Sequence, residues 1–131
     1  MTDTCLDKEK LWVKINKFAE RCDNGDVMVK SNRLKITVLK KTDSKQIFGD
    51  NPPSGQAIEA CSVFKEGQEF IVNEDVKMPE GFCPWAWNDI NKKVITLMFG
   101  GNFPWMKEEG TSVSCCTDGF KPVIFEIRRI T

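Results

Sequence analysis

Six cysteines, Cys5, Cys22, Cys61, Cys83, Cys115 and Cys116, carry the most versatile chemistry in this 131-residue chain, which contains no histidine and no tyrosine. Cysteine thiolate is a nucleophile, a redox group and a soft metal ligand. The missing histidine removes the commonest proton-transfer group and metal ligand, so no Cys–His nucleophilic pair can be built within the chain and hydrolytic cysteine chemistry is disfavoured. Closed zinc sites draw on short Cys-x-x-Cys loops that set two sulfurs on one ion. This sequence has none. Cys61 and Cys83 stand far apart, and Cys115 and Cys116 are adjacent. In a strand, adjacent side chains point to opposite faces, so only one of that pair readily joins Cys61 and Cys83. Three thiolates with Asp118 as a fourth ligand would suit zinc or iron. The competing reading is of buried structural thiols, because unpaired cysteine is among the most buried residue types.

Cys83 is the strongest candidate for a reactive group. It occupies an N-cap position before Pro84, where helix amides favour the thiolate, and it could serve redox exchange with Cys61 or Cys115. Close by in sequence lie Trp85, Trp87, Phe99, Phe103 and Trp105. Trp87 and Phe99 are expected under the helix, in the core. Trp85 and Trp105, each next to a proline, suit a wall for a flat ligand or a partner protein.

Several elements must position these residues. Leu11, Ile15, Phe18 and Cys22 fall on one helical stripe that ends at Asp23-Asn24-Gly25. Alternation over Leu34–Leu39 predicts a half-buried strand with Leu34, Ile36 and Val38 inward. A polar loop with Gly49 to Gly55 follows, then a turn running into a strand that ends at Val72. Pro84 opens a helix whose stripe is Trp87, Ile90, Val94, Leu97 and Met98, and Gly100-Gly101 stops it. Val113–Cys116 and Val123–Ile130 read as the last strands, with Val123, Phe125 and Ile127 on one face and Glu126 and Arg128 on the other. The expected fold is α+β: a small, mostly antiparallel sheet of about four strands, one core helix and an N-terminal helix. Residues 1–30 are expected to form a helical extension and residues 31–131 the cysteine- and tryptophan-containing domain.

Composition bounds the partners. Nineteen basic and nineteen acidic residues cancel, which argues against a mainly electrostatic partner such as nucleic acid. The longest uncharged run, Val94 to Met106, is interrupted by Gly100, Gly101 and Pro104 and falls short of the roughly twenty apolar residues a bilayer requires. With no secretory signature at the start, the expected compartment is cytoplasmic and the thiols are expected unpaired. Gly100-Gly101 closes a helix, so it makes no phosphate cradle.

Cys83-Pro84-Trp85-Ala86-Trp87, Phe99-Gly100-Gly101 with Pro104-Trp105, Cys115-Cys116-Thr117-Asp118-Gly119 and the Pro122–Ile130 ending together resemble a family of small uncharacterised bacterial and archaeal proteins common in anaerobes. The likeness spans about residues 33 to 130. Family members often carry histidine between the first cysteine and a glycine, where this chain has Ser62 to Glu66 between Cys61 and Gly67. The resemblance implies a shared site around the matching residues and no particular activity. The expected function is that of a small accessory or binding protein. Its site would be lined by Cys61, Cys83 and Cys115 or Cys116 and walled by Trp85, Trp87, Phe99 and Trp105, taking a metal or a small ligand. Two alternatives stand beside it: a thiol redox protein or small enzyme using Cys83, and a structural subunit that meets a protein partner or another copy of itself.

Overall fold

A computed structural model describes residues 30–131; the helix expected over Leu11–Cys22 lies outside the described residues. The domain from Ser31 to Thr131 contains β1 (Leu34–Lys41), α1 (Ser44–Phe48), β2 (Glu69–Val72), α2 (Pro84–Met98), β3 (Thr111–Cys115) and β4 (Val123–Arg129). The strands form one antiparallel sheet in the order β2-β1-β4-β3. The α+β architecture expected from the alternating and helical patterns is present.

Registry follows from burial. Ile36 pairs with Phe70 on one side and Ile127 on the other, and Val38 pairs with Phe125, so the apolar alternate residues of three strands share one face. A one-residue slip would turn them all to water. That face packs against α2 through Ala86, Ile90, Val94, Leu97 and Met98, all buried. Phe64, Phe70, Phe82 and Phe125 close the core, with ring centroids 5.0 to 5.8 Å apart, edge to face except for the tilted Phe82–Phe125 pair. The other face of the sheet carries Lys35, which meets Glu69 at 3.0 Å, and the Glu126–Arg128 pair at 3.1 Å. Arg128 also pairs with Glu108, which holds that carboxyl below the usual range, chiefly through their hydrogen bond.

The sequence pattern missed α1. Asp43 caps it in a reciprocal box, accepting from Gln46 N–H while the Gln46 side chain accepts from Asp43 N–H, both at 2.9 Å. Five residues are too short to show a helical stripe. Ser44 is buried and fastens the following loop, donating its backbone N–H to Ile58 and accepting the Ile58 N–H at 2.7 Å on its hydroxyl.

The end of α2 is tightly finished. Gly100 has φ of +89°, a left-handed conformation that glycine adopts without strain. Arg129 Nη1 donates to the carbonyls of Leu97 (2.8 Å) and Gly101 (2.9 Å), and Nη2 donates to Asn102 Oδ1 (2.7 Å). Asn102 Oδ1 also accepts the Gly110 N–H, and Asn32 donates backbone and side-chain N–H to Met98 O, both at 2.9 Å. Arg129 thus organises the helix end and the loop behind it.

Candidate functional site

Three chain segments meet at the start of α2. Cys61 lies in the loop behind α1, where the Lys41 ammonium donates to its carbonyl oxygen at 2.9 Å. Cys83 is the N-cap of α2, with extended backbone and no side-chain hydrogen bond to the helix, and Pro84 fills the first helical position as its fixed φ favours. Cys116 follows β3 at the turn into β4: its backbone N–H donates to Val123 O at 3.1 Å, and Val123 N–H donates back to Cys116 Sγ at 3.3 Å. Sulfur thus takes the place that a carbonyl holds in an ordinary ladder.

These cysteines, all unpaired, line one cavity of about 210 Å³, with Phe64 in its wall and Trp85 at its side. Trp85 is 83% exposed. The turn after Cys116 is tied to α2 by Asp89, whose Oδ2 accepts the Thr117 N–H at 2.8 Å and its hydroxyl at 3.0 Å. Asp118 also borders the cavity, but its Oδ1 accepts the N–H groups of Phe120 (3.0 Å) and Lys121 (3.2 Å), closing the turn on itself. Lys121 supplies the wall's cation.

The geometry sorts the expected site residues. Cys115 is exposed on β3 and lies outside the cavity; strand alternation divides the adjacent pair and gives the site Cys116. Among the described residues no group of three or more Cys, Asp or Glu is gathered so as to hold an ion. Asp118 is engaged in its own turn instead.

The aromatic wall also divides. Only Trp85 of the four expected aromatics reaches the cavity. Trp87 is partly buried against Phe82, with centroids 6.1 Å apart. Phe99, expected in the core, is 47% exposed at the far end of α2. Trp105 stacks on Phe103 at 5.1 Å in the loop beyond and is itself exposed. Fifteen helical residues span about 22 Å, so a residue at the C-cap cannot share a small cavity with the N-cap. Asp89 and Lys121 were not singled out beforehand as site residues. Asp89 had a usable signal, since it stands four residues after Trp85 and therefore on the same helix face; Lys121 had none.

Compared with protein-family models, curated proteins and solved structures, the chain matches none of them. No helix among the described residues is long and apolar enough to cross a membrane.

Proposed function

We propose that this domain is a small-molecule binding module whose ligand occupies the cavity between Cys61, Cys83 and Cys116, against Phe64 and Trp85. The observation that carries the reading is that three cysteines from three separate segments border one concave space. Among the described residues the fully buried apolar core contains no cysteine; Cys61, Cys83 and Cys116 are partly buried against its edge. The volume, about 210 Å³, is below the roughly 300 to 1,000 Å³ of pockets for drug-sized ligands, so the occupant is small. Its body contacts apolar and sulfur surface, and Lys121 and Asp118 offer polar anchors near the turn.

The test is backbone-amide chemical-shift mapping with small aromatic probes, phenol, benzoate and benzylamine, on the reduced full chain. Shifts are expected to cluster on residues 61–64, 83–89 and 116–121, and bound probe should slow alkylation of Cys83 and Cys116. Probes that perturb none of these segments would remove the proposal. If shifts instead gathered on Phe99 and Trp105, the ligand surface would lie beyond the other end of α2.

A further inference from the structure

We propose that the cavity takes a small disulfide covalently and that Cys116 is the sulfur that receives it, a step that rests on the binding reading and names its ligand class. Exposure alone would favour Cys115, which is open to solvent on β3, over its half-buried neighbour. The geometry favours Cys116 on two independent counts. Its sulfur is held by the Val123 N–H at 3.3 Å, and both residues border the cavity. It also faces a space in which the organic half of a disulfide can be held beside Phe64 and Trp85 before reaction. Holding two reactants in place converts a bimolecular step into one within a complex. Cys115 lacks both features.

The exchange is complete in itself. The thiolate of Cys116 attacks one sulfur of the disulfide RSSR, forming a Cys116–SR bond as the RS–SR bond breaks. The electron pair of the broken bond leaves on RS⁻, which takes up the proton released by the Cys116 thiol. Cys116 is oxidised, the departing sulfur is reduced, and the small disulfide is the only oxidant required. Cys61 and Cys83 border the space that the R group then occupies.

The experiment treats the reduced full chain with bis(2-hydroxyethyl) disulfide and follows adduct formation at each cysteine by quenching, digestion and mass spectrometry. Cys116 is expected to gain the adduct about tenfold faster than Cys115, because rate depends on access and local surroundings as well as on the thiol itself. In urea the two neighbours should react at nearly equal rates, since only the fold distinguishes them. The Cys115→Ser variant, altered at an exposed position, should keep the Cys116 rate unchanged. Equal or faster reaction at Cys115 in the folded chain would overturn the inference, as would a preference for Cys116 that persists in urea. Should Cys116 prove slow while phenol or benzoate still shifts the cavity amides, the covalent step falls and the binding module stands. If neither the disulfide nor those probes engage the cavity, both fall.

Discussion

The two ends of α2 are built on opposite plans. At its C-terminus the Leu97 carbonyl, the loop residues Gly101 and Asn102 and the strand residue Arg129 are joined in one hydrogen-bonded network, and Asn32 separately holds the Met98 carbonyl. At its N-terminus Cys83 gives the helix no side-chain bond, Trp85 is turned to solvent, and a cavity separates the helix from the loop of Cys61 and the turn after Cys116. The helix is thus anchored at one end and presents chemistry at the other. A site held on a well-anchored helix keeps its geometry better than one held on loops alone.

Breaking the anchored end should cost the most stability. Arg129→Met keeps much of the aliphatic stem but strips donors from two carbonyls and from Asn102, and is expected to lower unfolding free energy by about 2 to 3 kcal/mol. Thermal denaturation would then shift down by roughly 10 to 20 °C, while small-molecule binding at the cavity below the transition is retained. A loss of binding with little loss of stability would reverse the assignment of the two ends.

A smaller effect is expected at the open end. Asp89→Ala removes the acceptor of the Thr117 N–H and hydroxyl, both exposed bonds, for about 1 kcal/mol. Its sharper consequence is local, because the Cys116 turn is then released from α2. Amide exchange over residues 116–121 should quicken, and the preference of disulfide probes for Cys116 over Cys115 should shrink. Asp89→Asn, which retains a carbonyl acceptor, should restore most of both.

The smallest effect belongs to the solvent face of the sheet, away from both helix ends. Glu108 has its carboxyl lowered by the hydrogen bond and charge of Arg128. A depressed folded value means that the carboxylate's contribution is present above the unfolded value and is lost as pH falls through the folded one. Glu108→Gln should therefore differ slightly from the parent near neutrality, and the difference should close on acidification below the usual glutamate range. Denaturant unfolding across acidic pH would measure it. Arg128 itself is paired with both Glu108 and Glu126.

Local sequence determined much of the scaffold. Alternation placed Leu34, Ile36 and Val38 inward, Pro84 and Gly100 bracketed α2, and Val123, Phe125 and Ile127 faced the core, because each pattern encodes which side of a regular element meets water. The split between Cys115 and Cys116 was legible for the same reason, though not which of the two would enter the cavity. Alternation sets opposite faces, but the register of β3 on β4 decides which face is which. Tertiary structure alone decided that Cys61, Cys83 and Cys116 share a wall, that Trp105 does not, and that Asp89 ties a distant turn to the helix. Those outcomes depend on how separate elements pack and on a helix long enough to carry sequence neighbours far apart, and no local rule of spacing contains either.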